Sequence, residues 1–173
     1  MAPIAHPVPH ARRPPTAASQ VAAAVDFARS QGVPVFYVIR EHHPSGLDIE
    51  RTRVHLFANG PERSGATLAG TEGAKLVAPL TVGPTDHVVI KRRFSAFFQT
   101  TLDMMLRRLG TQRVLLCGVQ TPNCIRAAAF DAVSLDYEEV AGEEEFGFGL
   151  GYARAWAEAG AGRGARDTGW YTC

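Results

Sequence analysis

The residue best suited to covalent chemistry is Cys124, within the stretch GVQTPNCIRAAAFDAV, residues 118–133. Thr121 is a favourable N-cap residue and Pro122 suits the first position of a helix, so the pattern predicts a helix with Cys124 in its first turn. Backbone N–H groups at such a position favour the thiolate, the nucleophilic form of cysteine. The alternative for any cysteine is a small buried hydrophobe, and Cys117, inside VLLCGV, fits that alternative.

Lys91 is predicted to lie near the same place. It ends the apolar run HVVIK (87–91), and Cys124 follows the next such run, RVLLCGV (113–119). Consecutive parallel strands are usually neighbours, so side chains at their carboxyl ends meet at one edge of the sheet, where ligands bind in such folds. A nearby cation favours the thiolate further. The alternative for Lys91 is a solvated strand end, but only two of the eighteen Lys and Arg residues are lysines, which supports a specific role.

The surrounding elements follow from hydrophobic periodicity and from helix start and stop signals. Apolar runs predict strands, helical spacing predicts helices, and a long polar connection spans 41–73. The predicted helices cover 16–31, the segment from Ser95 to Gly110, and 122–135; the predicted strands cover 33–40, 87–91 and 113–119. No convincing strand is predicted after Tyr137. The pattern indicates a three-layer αβα fold with a mostly parallel sheet.

Composition sets the domain organisation and excludes some classes of protein. The 173 residues suffice for one domain, which we place at 16–140. Residues 1–15 contain five prolines and no acid and are predicted to be a disordered leader; 141–173 is predicted to be a glycine-rich, weakly ordered tail. A net charge of +1 gives no argument for nucleic acid or for an anionic membrane. No apolar run approaches the roughly 20 residues of a membrane span. Three cysteines without the spacing of a zinc site or a disulfide scaffold favour a reducing compartment, so we expect a cytoplasmic location, with organellar targeting by the leader as a minor alternative.

Two segments of the sequence resemble a known family. VIKRRFSAFFQTTLDMML (89–106) and VLLCGVQTPNCIRAAAFDAVSLDY (114–137) resemble the isochorismatase-like cysteine hydrolases. The nearest likeness is to plant nicotinamidase-like and ureidoacrylate amidohydrolase-like members, and it covers about residues 16–137. The segment VIREHHPSGLDIERTRVHLFANG (38–60) is similar to the family's region after its second strand.

The resemblance implies a mechanism and roles for particular residues. Family members use an Asp, a Lys and a Cys at the carboxyl edge of the sheet to hydrolyse an amide through a thioester. By resemblance, Cys124 is the nucleophile, Lys91 is its partner, and the backbone N–H groups of Gln120 and Cys124 form the oxyanion hole. Three aromatic residues are weaker candidates for a substrate pocket wall, with ordinary core packing as the alternative: Phe94, Phe97 and Phe98.

The chain also departs from the family pattern. Family members begin with a strand that ends in the catalytic Asp, whereas here a proline-rich leader occupies that place and the last part of the domain is not recognisable. Nicotinamidases of the family bind a divalent ion through an Asp-x-His motif and a further His. The segment REHHP supplies only weak candidates, His42 and His43, which point to opposite faces if the segment is extended. We therefore expect no metal and no other cofactor.

These observations favour a cysteine-dependent hydrolase of a C–N bond in a small amide, impaired by the absence of the Asp. Whether the chain is an active enzyme is left open. A non-catalytic remnant that binds a ligand or partner, and a redox-responsive thiol protein, are the alternatives. The expected partner is a small-molecule amide, with no nucleic acid and no membrane; self-association is left open.

Overall fold

The computed structural model describes residues 17–57, 67–118, 121–141 and 168–172. The predicted leader, Gln120 and most of the predicted tail lie outside these residues. The helices are α1 (Ala17–Ser30), α2 (Val54–Phe57), α3 (Leu102–Arg108) and α4 (Arg126–Ser134). The strands are β1 (Val35–Arg40), β2 (His87–Lys91), β3 (Arg113–Cys117), β4 (Glu138–Ala141) and β5 (Thr168–Thr172). No helix in these ranges is long and apolar enough to cross a membrane.

The strands form one parallel sheet in the order β2-β1-β5-β3-β4. The predicted parallel sheet is therefore confirmed. The strand predicted at 87–91 has the same ends in the structure, and the strands predicted at 33–40 and 113–119 are each two residues shorter. In the register between β1 and β2, Phe36 lies opposite His87 and Arg40 lies opposite Lys91. All carboxyl ends consequently point towards one edge, called the carboxyl edge below.

The expectation that no strand follows Tyr137 is wrong. β4 extends the sheet beside β3, and β5 lies in its central position, between β1 and β3. Trp170 of β5 lies opposite both Val35 and Leu115. The sequence TGWYT gave little signal because it is short and contains a glycine, whereas the gap between two parallel strands offers backbone partners on both sides.

Helices cover both faces of the sheet, as predicted. On one face, α1 packs Val25 and Ala28 against Val35, Tyr37 and Leu115. On the other face, α3 and α4 enclose a second cluster that contains Phe36, Val38, Val89, Leu102, Leu106, Val114, Leu116, Ile125, Ala128 and Ala132. The alternation of buried side chains along β1 and β3 allows these two strands to contribute to both clusters.

A polar contact joins α1 to the start of β2. Arg29 of α1 forms an ion pair with Asp86, whose side chain is 1% exposed and also accepts the Gly83 N–H at 2.6 Å. Arg29 also donates to the Thr81 carbonyl at 2.7 Å, and the Tyr37 hydroxyl donates to the same oxygen at 2.9 Å. Because Asp86 is buried, this contact fixes the loop that leads into β2.

The helix predicted from Ser95 begins later than expected. Ser95 is not an N-cap of α3; its hydroxyl accepts the Phe97 N–H at 3.1 Å, and Thr101 precedes the helix instead. Gln99 has φ 53°, outside the helical region. The hydroxyl of Thr100 donates to the Ala96 carbonyl at 2.5 Å, and such local bonds compete with helical backbone bonds.

Candidate active site

Lys91 is a buried side chain at the carboxyl end of β2. Val88 and Ile90 are partly exposed, whereas Val89 and Lys91 point inward, and Lys91 is only 1% exposed. Its Nζ donates a 2.9 Å hydrogen bond to the Phe94 carbonyl. The solvated strand end that was the alternative for Lys91 is therefore wrong, because an ammonium buried in this way must be held by specific partners.

Cys124 lies where the sequence places it, in a helical turn that follows β3. A π-helical turn at Thr121–Ile125 leads directly into α4, so Cys124 occupies the first turn of a continuous helical segment. Ile125 is 2% exposed and anchors this turn in the core. The Cys124 thiol is free and partly exposed, whereas Cys117 is buried on the α1 face, as expected of a structural cysteine.

Phe94 connects the two candidate residues. Its carbonyl accepts the hydrogen bond from Lys91, and the residue lines a groove of about 290 Å³ together with Pro122 and Asn123. These two residues immediately precede Cys124. The loop after β2 and the turn after β3 thus meet at the carboxyl edge. The expectation that these two consecutive strands are neighbours is nevertheless wrong, because β1 and β5 lie between β2 and β3.

An apolar cavity of about 420 Å³ opens at the same edge. Among the described residues, β5 pairs as far as Thr172, opposite Tyr37 and Cys117. The cavity is lined beyond that level by Val38–Arg40 and by Gly118. The start of α1 and parts of the segment 67–80 complete its walls. Cavities of this size and apolar character are typical of small-molecule sites.

A polar cluster flanks Lys91 on the side of β1. Arg40 forms an ion pair with Glu50 and donates from Nε to His42 Nε2 at 3.2 Å. Asp48 accepts the His43 N–H at 2.9 Å and pairs with Arg92 at 2.6 Å. This cluster fixes the beginning of the long polar connection against the ends of β1 and β2.

The charges of this cluster shift the pKa values of its members. Burial lowers the pKa of His42, and Arg40 lowers it further, against the raising influence of Asp48. Burial alone would raise the pKa of Asp48, but the His43 N–H and the Arg92 guanidinium hold it below its usual range. Glu50 behaves in the same way: hydrogen bonds from its own backbone N–H and from Arg40 outweigh burial and lower its pKa.

The two weak metal candidates do not form a metal site. His42 is 5% exposed and its Nε2 accepts from Arg40, which leaves only Nδ1, at 3.5 Å from Asp48. His43 is exposed and its Nδ1 contacts the Ser45 hydroxyl at 2.7 Å. Within the described ranges, no group of three or more His, Cys, Asp or Glu side chains is arranged to hold a metal ion. The donor set at this place therefore does not fit a metal.

The three aromatic candidates differ in position. Phe97 is 8% exposed and packs against Tyr137 with ring centroids 5.8 Å apart, so it belongs to the core, the alternative considered for it. Phe94 is 37% exposed and lines the groove beside Cys124. Phe98 is half exposed. The oxyanion-hole prediction for Gln120 falls outside the described residues.

Sequence reasoning missed two charged residues at this edge. Arg40 holds its guanidinium 5.1 Å from the Phe94 ring, and Arg126 holds its guanidinium 5.5 Å from the Phe130 ring. The contact of Arg126 with Phe130 could have been predicted, because the two residues are four apart on one helix. The contact of Arg40 depends on the register of β1 and β2, which sequence spacing alone does not give.

Comparison with known proteins identifies relatives of the chain. The family model described as "Isochorismatase domain" matches residues 4–143. A relative from Arabidopsis thaliana, named "Probable inactive nicotinamidase", is 44% identical over 121 residues, which cover 69% of this chain and 61% of the relative. The ureidoacrylate amidohydrolase of Azorhizobium caulinodans is 30% identical over 131 residues, which cover 70% of this chain and 58% of that enzyme.

The fold is similar to a solved structure as well. An isochorismatase family protein from Desulfovibrio vulgaris superposes with a TM-score of 0.66 at 34% identity, over 90% of this chain and 80% of that protein. The chain spans less than two thirds of the length of the two curated relatives described above, at 61% and 58%.

Proposed function

Because the chain belongs to the isochorismatase family, we propose that it is a cysteine hydrolase of a C–N bond in a small amide, with Cys124 as the nucleophile and Lys91 as its charged partner. One observation carries the proposal: the buried Lys91 Nζ is bonded to Phe94, which shares a groove with the two residues before Cys124. This link supports a shared site for the cation and the partly exposed thiol at the carboxyl edge of a parallel sheet, where ligands bind in such folds.

The proposed reaction has two stages. The Cys124 thiolate attacks the amide carbonyl carbon, and backbone N–H groups of Gln120 and Cys124 stabilise the oxyanion. The C–N bond then breaks as the leaving nitrogen takes up a proton, which gives a thioester. Water attacks the thioester carbonyl, the C–S bond breaks, and the acid and the free thiol are released.

We further propose that this chain is catalytically impaired, because the step that breaks the C–N bond needs a positioned proton donor. Such a group is typically worth about 10² to 10⁴ in rate. Asp48 and Glu50, on the connection after β1, are held by Arg92 and Arg40. The Arabidopsis relative bears the name "Probable inactive nicotinamidase", which supports the same view.

Glu41 is an acid that could supply the proton needed to break the C–N bond. It directly follows β1, and its backbone N–H donates to the Lys91 carbonyl at 3.1 Å, so it lies at the carboxyl edge. Substitution of Glu41 is therefore informative in any assay of this chain.

The alternative is a non-catalytic member of the family that binds a ligand or a partner. The apolar cavity of about 420 Å³ beside Gly118 favours a small molecule as that ligand. In this case Cys124 would contact the ligand without forming a thioester.

The test uses the full, folded chain with nicotinamide and with ureidoacrylate. Release of the amine product is followed together with the intact mass of the protein, which detects a thioester. We expect slow release or a slowly formed adduct, both lost in Cys124→Ala. Fast turnover that requires Cys124 would refute the impairment, and its loss in Glu41→Gln would identify the acid. If neither an adduct nor product release is detected, the result would favour the non-catalytic alternative.

A further inference from the structure

We propose that Arg40 is a positioning residue of the candidate site: its guanidinium holds Phe94 at the end of β2, so that Lys91 stays buried and bonded to the Phe94 carbonyl. The inference rests on the proposed function, because it assigns to Arg40 the placement of the cation that is proposed to act with Cys124. Arg40 acts through Phe94 and not by contact with a substrate.

Arg40 and Lys91 are neighbouring cations. They lie opposite each other in the register of β1 and β2. Val38 and Val89, two residues earlier on these strands, belong to one core cluster, so the alternation of side chains turns Arg40 and Lys91 towards the same face. Because adjacent strands lie only about 4.8 Å apart, two like charges at this place need groups that separate or neutralise them.

Phe94 contacts both cations through different atoms. Its carbonyl oxygen accepts the 2.9 Å hydrogen bond from Lys91 Nζ, and its ring centre lies 5.1 Å from the guanidinium carbon of Arg40. The face of an aromatic ring carries negative charge density that attracts a cation. Phe94 thus bridges Arg40 and Lys91, and a displacement of the ring would also move the carbonyl to which Lys91 is bonded.

Arg40 is itself fixed in place. It forms an ion pair with Glu50 in which the two side chains are only 13% and 12% exposed, and its Nε donates to His42 Nε2 at 3.2 Å. The backbone of His42 is tied to a distant segment, because its N–H donates to the Thr67 carbonyl at 2.7 Å and its carbonyl accepts the Ala69 N–H at 2.9 Å. A guanidinium bonded on two sides keeps one orientation and can hold the ring.

Other contacts of the loop do not replace this one. Arg92 pairs with Asp48 at 2.6 Å, which holds the loop two residues before Phe94. The guanidinium carbon of Arg53 lies 5.8 Å from the Phe94 ring, further away than that of Arg40. Arg40 is therefore the closer of these two cations, and its ion pair joins the ring to a largely buried carboxylate.

The two lysines of the chain allow a direct test. An N-hydroxysulfosuccinimide ester of acetate acetylates accessible amines, and mass spectrometry of peptides from the treated full chain gives the rate at Lys91 relative to that at Lys75, whose side chain is 62% exposed. A parallel iodoacetamide pulse gives the rate at Cys117, which is buried in the core beneath α1 and reports opening of the whole fold. Acetylation of Lys91 without alkylation of Cys117 therefore reports a local displacement of the loop.

We expect Arg40→Gln to raise the ratio of Lys91 to Lys75 acetylation by about tenfold, the effect of losing a partly desolvated cation–π contact, and to leave the Cys117 rate unchanged. Arg40→Lys should raise the ratio by less, because the charge remains but the planar fork does not. Arg113→Gln removes an ion-paired arginine at the start of β3, at the opposite edge of the sheet, and should leave the ratio unchanged.

Two results would overturn the inference. An unchanged ratio in Arg40→Gln would show that the loop keeps its place without Arg40. An increase accompanied by an equal increase in Cys117 alkylation would show that Arg40 supports the fold as a whole and has no positioning role.

The thiol gives a separate readout. The ratio of the Cys124 alkylation rates at about pH 7 and about pH 9.5 measures the share of reactive thiolate independently of access. We expect Arg40→Gln to lower this ratio by about threefold, because the cation proposed to favour the thiolate is displaced.

The two readouts separate the inference from the proposed function. If Arg40→Gln exposes Lys91 but leaves the thiol ratio unchanged, the positioning role stands and the proposed pairing of Lys91 with Cys124 fails. If amide hydrolysis requires Cys124 while Arg40→Gln changes neither ratio, the proposed function stands and the role of Arg40 is wrong.

Discussion

The Nζ of Lys91 donates a 2.9 Å hydrogen bond to the carbonyl oxygen of Phe94, three residues further along the chain. This bond folds the loop after β2 back over the end of its own strand. Phe94 lines a groove together with Pro122 and Asn123, the two residues before Cys124, and the side chain of Lys91 is buried at the end of β2. Lys91 thus links the geometry of the loop to the chemistry proposed for the thiol.

Substitution of Lys91 should reduce the reactivity of Cys124. Lys91→Met removes the cation and keeps most of the side-chain volume. We expect the rate of Cys124 alkylation by iodoacetamide near neutral pH to fall by about tenfold, the effect of removing a cation close to a thiol. The measurement is a timed alkylation followed by mass spectrometry of the Cys124 peptide.

The second lysine provides the control for this variant. Lys75 is largely exposed and pairs with Glu72, so Lys75→Met should leave the rate unchanged. Equal rates in both variants, with circular dichroism showing that both are folded, would mean that Lys91 has only a structural role.

Cys124 should be alkylated faster than Cys117. Cys124 is partly exposed in a turn at the carboxyl edge, whereas Cys117 is 6% exposed in the core beneath α1. A brief iodoacetamide pulse on the native chain should therefore label Cys124 first, by at least about tenfold, because thiol reactivity depends on access as well as on the thiolate. In denaturant the two rates should converge. Preferential labelling of Cys117 in the native chain would show that the wrong cysteine has been assigned.

The ion pair between Arg29 and Asp86 should contribute to stability in a pH-dependent way. Burial raises the pKa of Asp86, but hydrogen bonds from Arg29 and from the Gly83 N–H outweigh it and hold the pKa below its usual range. The folded state therefore favours the ionised carboxylate. The contribution of ionised Asp86 to the free energy of unfolding is complete above the pKa of an unfolded aspartate. It is lost as the pH falls through the lower folded pKa, that is, below about pH 4.

Asp86→Asn should lower the free energy of unfolding by roughly 2–3 kcal/mol at neutral pH, measured by urea denaturation. The difference from the unmodified chain should shrink below about pH 4. Asp26→Asn is the matched control, since Asp26 pairs with the same arginine but its side chain is 76% exposed; it should change stability by less than about 0.5 kcal/mol. A similar loss in both variants would argue against a specific role for the buried carboxylate.

His42 should make the stability of the chain decrease as the pH falls below about 6.5. Burial and Arg40 lower the pKa of His42 in the folded state, so the unfolded chain binds the proton first. Stability is then lost as the pH falls through the unfolded value, with a slope of at most about 1.4 kcal/mol per pH unit for one proton. Arg40 Nε donates a hydrogen bond to His42 Nε2 at 3.2 Å, and protonation of that nitrogen would remove the acceptor.

Urea denaturation at several pH values between about 5 and 8 measures the dependence of stability on pH that is expected from His42. His42→Gln should have a shallower dependence of stability on pH than the unmodified chain. His43→Gln, a change at the neighbouring exposed histidine, should keep the original slope. An unchanged slope in His42→Gln would exclude His42 as the titrating group.

Much of the site follows from local patterns. The helical turn after β3, the strand that ends in Lys91 and the parallel direction of the strands could be predicted, because apolar runs and helix start signals depend on residues close together in the chain. The order of the strands could not, since β1 and β5 separate the two strands expected to be neighbours. The resemblance to the isochorismatase family could likewise be identified from the segments around Lys91 and Cys124, and the match of the family model to residues 4–143 confirms it.

The sequence by itself therefore determined the fold class, and it indicated Lys91 and Cys124 as the candidate site residues. Only the tertiary structure decided that Thr168–Thr172 forms the central strand, because that position is defined by the backbone edges of β1 and β3, which lie more than fifty residues away in the chain. It also decided that the helix does not begin at Ser95, since Gln99 has φ 53° and the Thr100 hydroxyl donates to the Ala96 carbonyl. Long-range backbone pairing and the need to satisfy a buried charge are not encoded in local periodicity, and they set the final form of this site.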